Sequence, residues 1–281
     1  MFRELLKIVK RDFTMLFSLA VIFTLVIFSI FPQYIARYDY RDNYLQKRFT
    51  PPCLDYPLGT DFLGRDILSL IIWGSRLALV AMIWPTVVSA TIGVALGIIA
   101  GYIGGMPDHI LMRVVDVLMG FPSFLLSLAI LNTLGPGLTN AMWAVTIGRI
   151  PEYVRLSRSL SLPMKEIGYV EYAKALGASK IRIITRYILP NILAPIIVQM
   201  TFSMPGTLIT IASLSFLGLG GRPPTSDWGV LLQQSRKYLR YAPWAALIPG
   251  FAIFFISFAF NSIGEAMRDI VDPRKKYVRI F

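Results

Sequence analysis

Five long stretches of the chain contain no Asp, Glu, Lys or Arg. They lie at 13–36, 77–107, 117–148, 187–221 and 241–264. A helix needs roughly 20 apolar residues to cross the hydrocarbon core of a bilayer, and each stretch is long enough. A buried core in a soluble domain would instead be interrupted by polar turns every 10–15 residues or so. The pattern therefore predicts an integral membrane protein built from helices.

Two of these stretches are too long for one membrane helix. The stretch at 117–148 contains Leu134-Gly-Pro-Gly137, which predicts a hairpin of two spans. The stretch at 187–221 would be about 50 Å long as one helix, against a bilayer core of roughly 30 Å, so we expect one span followed by an outer loop. Arg149 and Glu152 lie on the inner half of the fourth predicted span. The six predicted transmembrane helices lie at about 13–33, 77–100, 115–134, 138–156, 188–212 and 243–263.

The distribution of basic residues predicts the orientation. Six spans place both termini on one side. With the N-terminus in the cytoplasm, inner segments carry 18 of the 28 Lys and Arg residues and outer segments carry 10, so both termini are predicted to be cytoplasmic. Residues 1–75 then form a cytoplasmic segment, an anchor helix and a first extracytoplasmic segment. Residues 76–281 form a five-helix core, with a cytoplasmic loop at about 157–186 and an extracytoplasmic loop at about 219–242.

Composition excludes several function classes. The net charge of +12 does not indicate nucleic-acid binding, because the basic residues lie between apolar spans as topology signals do. The single cysteine, Cys53, excludes an intrachain disulfide or a cysteine metal cluster, and the single histidine, His109, leaves little material for histidine catalysis. The first apolar run is longer than the core of a signal peptide and is interpreted as a retained anchor. The chain has no Gly-x-x-x-x-Gly-Lys-Ser/Thr loop and so no ATP site of that type.

Two sets of charged residues require a separate interpretation. Asp61, Arg65 and Asp66 precede the second span. Calcium takes roughly 6–8 oxygen ligands, and this cluster does not supply so many. We therefore predict a local ion pair and turn capping. Asp116 lies near the inner end of the third span, and Arg113, one helical turn away, is its predicted partner.

The loop between the fourth and fifth spans predicts a short amphipathic helix. Gly177 suits the end of that helix, and Ser179 can cap the next one. The expected product is a helix lying across the inner face, followed by a sharp turn into a span. The apolar positions that recur at helical spacing are Tyr169, Tyr172, Ala173 and Leu176.

This loop resembles the coupling loop of ABC-importer permeases. The resemblance rests on Glu171-Tyr-Ala-Lys-Ala-Leu-Gly-Ala-Ser179, followed by Arg186-Tyr-Ile-Leu-Pro-Asn191. Tyr172 stands where the family has alanine, and the spacing to the glycine is kept. Further segments narrow the resemblance to the C-type permease subunit of the dipeptide/oligopeptide/nickel group. They are Leu58-Gly-Thr-Asp-Phe-Leu-Gly-Arg-Asp66, Gly101-Tyr-Ile-Gly-Gly105, Asp116-Val-Leu-Met-Gly-Phe-Pro-Ser123, Leu134-Gly-Pro-Gly-Leu-Thr-Asn140, Ser215-Phe-Leu-Gly-Leu-Gly220, Pro224-Thr-Ser-Asp-Trp-Gly229 and Asp272-Pro-Arg274.

The resemblance implies an all-α fold of the type I ABC-importer permease, with a cytoplasmic coupling helix. It implies a complex in a prokaryotic cell membrane with a second related permease, two ATPase subunits that bind ATP and Mg, and an extracytoplasmic solute-binding protein. This chain itself would hold no cofactor and no metal and would not be an enzyme. The residues expected to couple to the ATPase are Glu171, Tyr172, Ala173, Leu176, Gly177 and Ala178. The residues expected to dock the binding protein are Trp228, Arg236, Lys237 and Arg240.

Peptides are the expected substrate, with oligosaccharides or nickel as alternatives that the same machinery would import. Two other classes of function stay open at this stage. An ATP-independent secondary transporter or channel predicts ionisable groups deep within the spans. A membrane enzyme predicts a cluster of His, Asp, Glu or Cys with metal or triad spacing.

Overall fold

The computed structural model describes residues 13–271. Within this range the chain is helical, and the pairing of Thr60 with Asp66 is an isolated bridge rather than part of a sheet. The predictions for 1–12 and 272–281, which include the basic terminal segments and the Asp272-Pro-Arg274 motif, lie outside the described residues. The main helices are α1 Phe13–Ile30, α2 Ile67–Ile103, α3 Gly105–Met119, α4 Ser123–Leu134, α5 Leu138–Ser161, α6 Gly168–Ala175, α7 Lys180–Phe216, α8 Trp228–Ser235 and α9 Pro243–Val271. Shorter helical turns are Pro32–Ile35, Leu45–Lys47, Pro163–Glu166 and Arg236–Tyr238.

Four of these helices, α1, α2, α7 and α9, are each long and apolar enough to cross a bilayer. Helices α3 and α4 reach that standard only as a pair, and they are bent by 94° relative to each other. The predicted continuous span at 115–134 is therefore wrong. Pro122 has no backbone N–H to donate to a helical hydrogen bond, and α3 ends at Met119, with Gly120 as its C-cap.

Helix α5 is continuous through Pro151 and extends to Ser161, beyond the predicted end at 156. Its 24 residues are about 36 Å long, which suffices to cross a bilayer. Because of its charged residues, α5 is not apolar enough to be identified as a membrane span from composition. The longer helix also moves Arg149 from the predicted inner half to the twelfth position of 24, the midpoint. Six spans thus require α5 to cross with ionisable groups at its centre.

Helices α2 and α7 are both longer than the predicted spans. Each has 37 residues, or about 55 Å, so each extends beyond a bilayer core of roughly 30 Å. Helix α2 starts early because the Asp66 side chain accepts a hydrogen bond from the backbone N–H of Ser69. Helix α7 is continuous because a π-helical turn at Ile184–Ile188 joins its first turn to the long segment that follows.

A stripe of glycines brings α2 against α5. Gly93, Gly97 and Gly101 recur every fourth residue on one face of α2. A Cβ atom on Gly97 would lie 2.0 Å from Ser157 Oγ and 2.3 Å from the carbonyl oxygen of Val154. Small residues at this spacing allow two membrane helices to approach closely. The position of α5 in the bundle depends on these three glycines.

The segment between α1 and α2 folds back onto the end of the bundle where α8 lies, here called the α8 end. Trp244 Nε1 donates a hydrogen bond to the carbonyl oxygen of Thr60 at 3.2 Å. The rings of Phe49 and Phe62 pack on Tyr238 with centroid distances of 4.9 and 5.7 Å. These contacts tie the segment between α1 and α2 to the loop before α9.

The charged cluster in this segment has the predicted local role. Arg65 and Asp61 form a buried ion pair at 2.7 Å, and Asp66 caps α2, so the predicted ion pair and capping are confirmed. Asp61 also accepts hydrogen bonds from the backbone N–H groups of Leu63 and Arg65. Arg65 reaches Gln234 on α8 at 3.1 Å, which links the cluster to a distant part of the chain.

Candidate functional site

Helix α6 is held against the bundle by one face. Val170 is fully buried and Ala173 is 7% exposed. Val170 belongs to a hydrophobic cluster that contains Ile98 of α2 and Ile183 and Ile188 of α7. Of the apolar positions predicted from helical spacing, only Ala173 turns inward, while Tyr169, Tyr172 and Leu176 are exposed. The spacing did not single out Val170, which is buried as well.

The opposite face of α6 is open. Tyr172 is 75% exposed and Leu176 is 89% exposed. Ile181, at the start of α7 and five residues after Leu176, is also exposed. We call Tyr172, Leu176 and Ile181 the exposed patch. Glu171 and Lys174 are exposed on the same helix, so the patch has a charged surround.

Gly177 ends α6 for a conformational reason. Its φ is +79°, a value that residues with a Cβ atom rarely adopt. Its N–H donates to the carbonyl of Lys174, and the N–H of Ala178 donates to the carbonyl of Ala173, which together form a Schellman motif. Ser179 then caps α7 through the N–H of Arg182, as predicted. The turn from α6 into α7 is thus fixed by backbone hydrogen bonds at both helix ends.

A second set of contacts joins α6 to α7. The side chain of Asn191 donates to Tyr169 Oη at 3.2 Å and to the carbonyl of Tyr187 at 2.6 Å. The Tyr169 and Tyr187 rings lie 6.1 Å apart. These contacts account for the spacing of tyrosine and asparagine in the Arg186-Tyr-Ile-Leu-Pro-Asn191 segment. Helix α6 and the first turns of α7 therefore form one connected unit.

The predicted coupling residues do not share one surface. Glu171, Tyr172, Leu176 and Gly177 are exposed, and Ala178 is half-buried. Ala173 is buried, so it does not offer its side chain to a partner. The sequence pattern missed Ile181 because that residue belongs to the next helix.

Two ion pairs attach α3 to α5, and the sequence did not predict either one. Arg158 donates to both carboxylate oxygens of Asp108, at 2.5 and 2.6 Å. Asp116 pairs with Arg155 at 2.5 Å, so the predicted pairing with Arg113 is wrong. Helix α3 packs along α5, and this places Arg155 of α5 within reach of Asp116, in place of Arg113 on the same helix as Asp116.

At the α8 end, the predicted docking residues also divide between surface and interior. Arg236, Lys237 and Arg240 are exposed. Trp228 is 4% exposed and belongs to an interior cluster, so it does not present a surface to a docked protein. Sequence reasoning treated it as an interface anchor because tryptophan is frequent in interfaces, and only the packing shows its direction.

Asp227 explains why two glycine-containing segments meet beside Trp228. Its carboxylate accepts hydrogen bonds from Ser215 Oγ at 2.7 Å and from the backbone N–H of Gly229 at 2.8 Å. Burial raises the pKa of the Asp227 carboxyl above its ordinary value, against the lowering effect of these hydrogen bonds. A Cβ atom on Gly220 would lie 2.0 Å from Ser215 Oγ, so this close approach requires glycine. The segments at 215–220 and 224–229 therefore form one interlocked turn.

Comparison with known proteins agrees with this geometry. Residues 93–277, which include α5, α6 and α7, match the family described as the inner membrane component of binding-protein-dependent transport systems. The chain belongs to this family. It is a permease component of such a transport system, with the fold of the ABC-importer permeases.

Full-length relatives of this permease are transport permeases as well. The dipeptide transport system permease DppC of Alkalihalophilus pseudofirmus is 38% identical over 98% of this chain and 90% of the relative. DppC of Haemophilus influenzae is 38% identical over 95% of this chain and 92% of the relative. The glutathione transport system permease GsiD of Pectobacterium atrosepticum is 40% identical over 90% and 84%. The resemblance to the C-type subunit is thereby confirmed.

Two solved structures share the fold of the permease. A chain of the inward-facing MetNI methionine ABC transporter matches with a TM-score of 0.50 and 20% identity, over 72% of this chain and 97% of that one. A chain of an amino acid ABC transporter matches with a TM-score of 0.50 and 16% identity, over 73% and 95%. These likenesses support the predicted all-α importer fold.

Proposed function

We propose that this permease forms one half of a peptide-import channel driven by two separate ATPase subunits. ATP and Mg are held by those subunits, and α6 with its exposed patch is the surface on which one of them docks. A second, related permease completes the channel, and an extracytoplasmic solute-binding protein delivers the peptide. The exposed patch on a firmly seated α6 is the observation that carries this proposal.

The form of α6 suits the transmission of force. A lever must be rigid relative to the bundle and must present a contact surface. Rigidity comes from buried Val170 and Ala173, from the Schellman turn at Gly177 and from the Asn191 contacts. The contact surface is the exposed patch, and insertion of a helix into a groove is a common recognition mode. An apolar surface of this kind on a polar loop indicates a protein partner rather than solvent.

The docking proposal is tested by placing a charge in the exposed patch. Leu176→Asp puts a carboxylate where an apolar groove is proposed, and Leu54→Asp is the matched control, since Leu54 is also highly exposed but lies in the segment at the α8 end. Both variants should fold, because neither side chain is buried. We expect the ATPase subunits to copurify with Leu54→Asp and not with Leu176→Asp. Equal recovery of ATPase from both variants would contradict the proposal.

The chain's single cysteine provides a test of the predicted orientation. Cys53 is exposed, and it lies in the segment proposed to be extracytoplasmic. A membrane-impermeant maleimide should label it in right-side-out vesicles. In the double variant Cys53→Ser/Leu176→Cys, the label should appear only after the vesicles are permeabilised. Labelling of the second variant in sealed vesicles would place α6 outside and overturn both orientation and coupling.

The exposed bases Arg236, Lys237 and Arg240 are proposed to contact the binding protein. Charge reversal of Arg236 and Lys237 should reduce the stimulation of ATP hydrolysis by loaded binding protein, because complementary charges guide the association of two proteins. The effect should weaken as salt is raised. The same reversal at Lys47 and Arg48, on the first outer segment, is the control. Equal stimulation in both variants would remove this surface from the proposal.

Peptides are the proposed substrate class because the relatives described above are named for dipeptide and glutathione transport. Competition of labelled dipeptide uptake by unlabelled peptide, oligosaccharide and nickel separates the three predicted classes. Uptake that persists in vesicles containing the permeases without ATPase subunits would instead support an ATP-independent transporter or channel.

A further inference from the structure

An ionisable pair lies halfway along α5, facing α7. Arg149 Nη1 lies 3.4 Å from Glu152 Oε2. The other carboxylate oxygen of Glu152 accepts a hydrogen bond from Gln199 Nε2 at 2.5 Å. The three side chains therefore connect two helices through one carboxylate, and we call them the polar triad.

The triad occupies a space that α7 leaves open for it. A Cβ atom on Gly206 would lie 2.8 Å from Arg149 Nη2, so a larger residue there would displace the guanidinium. Gln199 and Gly206 are seven residues apart and lie on the same face of the helix. The side of α7 that meets α5 thus contains a hydrogen-bond donor and an opening, in positions that fit an arginine and a glutamate one turn apart.

The depth of the triad indicates what it faces. Arg149 is at the midpoint of α5, and Gln199 is the twentieth of the 37 residues of α7. In a membrane protein these positions fall near the centre of the bilayer. Ionisable side chains at that depth almost always face the interior of the assembly or a water-filled cavity, because exposure to lipid is costly. The Glu152 side chain is 37% exposed in this chain and Arg149 is 16% exposed, so the open side of the triad faces the interior of the assembly or a water-filled cavity.

The triad still has capacity for a ligand. A guanidinium has five N–H donors, and within residues 13–271 Arg149 uses one contact, with Glu152. At 3.4 Å that contact is longer than the usual charge-assisted hydrogen bond of about 2.7–2.9 Å. Glu152 retains acceptor capacity on its exposed side. A loosely paired acid and base can separate, and each can then pair with the opposite charge of a ligand that carries both charges.

We propose that Arg149, Glu152 and Gln199 form a contact point for the charged ends of a peptide during its passage through the channel. The peptide carboxylate takes hydrogen bonds from Arg149, and the peptide ammonium donates to Glu152, while Gln199 holds the carboxylate of Glu152 in place. No charge is left unpaired in either state, because the acid and the base pair with each other before the peptide arrives and after it leaves. This inference rests on the proposed peptide import.

The simpler interpretation is that the triad only ties α5 to α7. The double variant Arg149→Gln/Glu152→Gln separates the two interpretations, because it removes both charges together and leaves side chains that still form neutral hydrogen bonds. A purely structural tie would survive this change, whereas a contact point for a zwitterion would not. Asp116→Asn is the matched control, since it breaks another ion pair to α5 at a half-exposed position away from the triad.

The experiment uses the whole transporter in proteoliposomes, with a binding protein loaded with a labelled dipeptide. The measured quantity is dipeptide uptake per ATP hydrolysed, together with the thermal stability of the complex. We expect the double variant and Glu152→Gln to lower uptake per ATP by about tenfold or more, the size of effect expected for a lost charge-assisted hydrogen bond. The double variant should keep wild-type stability, and Asp116→Asn should keep wild-type uptake per ATP.

Two results would overturn the inference. The first is wild-type uptake per ATP in the double variant, and the second is a loss of uptake that matches the loss of intact complex. Either one would leave peptide import standing, because wild-type uptake is scored separately. An absence of dipeptide uptake by the wild-type transporter would overturn the proposed substrate class and this contact point together.

Discussion

Replacing Gly97 by alanine tests how closely α2 and α5 approach each other. The new methyl group would meet Ser157 Oγ at 2.0 Å and the Val154 carbonyl oxygen at 2.3 Å. The carbonyl would have to retreat by about 1 Å to reach an ordinary contact, and backbone in the middle of a packed helix moves only with the helix. Overpacking costs roughly 1–3 kcal/mol. The upper end applies here because the new methyl group is fixed to the backbone of α2 and the carbonyl that it meets belongs to the backbone of α5.

The intrinsic preference of helices for alanine offsets part of this cost, by up to about 1 kcal/mol. The expected net loss for Gly97→Ala is therefore about 2 kcal/mol of the free energy of unfolding. For a chain of this size that corresponds to a fall of roughly 4–8 °C in Tm. The assay is thermal unfolding of the detergent-purified chain, followed by tryptophan fluorescence.

Gly250→Ala is the matched control, since Gly250 also lies inside a long apolar helix but its nearest neighbour would be 4.0 Å away. It should leave Tm unchanged or raise it slightly. Adding Ser157→Ala to Gly97→Ala removes the contact at 2.0 Å and leaves the one at 2.3 Å, so the rescue should be partial. If Gly97→Ala were as stable as Gly250→Ala, the close packing of α2 on α5 would be refuted.

Three further changes have expected outcomes. Asp61→Asn leaves the buried guanidinium of Arg65 without its charge partner and should cost about 3–5 kcal/mol in chemical unfolding; wild-type stability would refute the buried pair. Asp66→Ala removes a helix cap and should cost about 1 kcal/mol in the same measurement, whereas no change would argue against the cap. Gly177→Ala strains a backbone with positive φ by roughly 1–2 kcal/mol and should weaken copurification of the ATPase subunits. Gly168→Ala is the control, because that position has open space and an ordinary φ. Equal recovery of ATPase from the two variants would contradict this prediction.

Much of the helix layout was predictable because exclusion of charge from a bilayer acts on each segment separately. The positions of α1, α2, α7 and α9 follow from charge-free stretches, and the ends of α6 follow from Gly177 and Ser179. The break between α3 and α4 was missed. A proline can bend a helix, end it or be accommodated within it, and α5 accommodates Pro151 while the chain breaks at Pro122.

Residue roles were harder to predict than helix positions. The division of α6 into a seated face and an exposed face depends on which neighbour covers it. Ala173 and Leu176 belong to the same predicted set of apolar positions, yet Ala173 is buried and Leu176 is exposed. The burial of Trp228 likewise depends on the approach of α1 and α9. Amphipathic spacing predicts two faces of a helix, but it does not predict which face remains exposed for a partner chain.

The sequence by itself determined that this protein is a membrane permease with a short helix in a polar loop, because apolar length, turn residues and motif order are local properties of the chain. Tertiary structure alone decided which side chains meet. The pairing of Asp116 with Arg155, the assembly of Arg149, Glu152 and Gln199, and the fit of Gly97 against Ser157 depend on how each helix is rotated and how near its neighbour lies. Those two quantities are set by packing between segments distant in the chain.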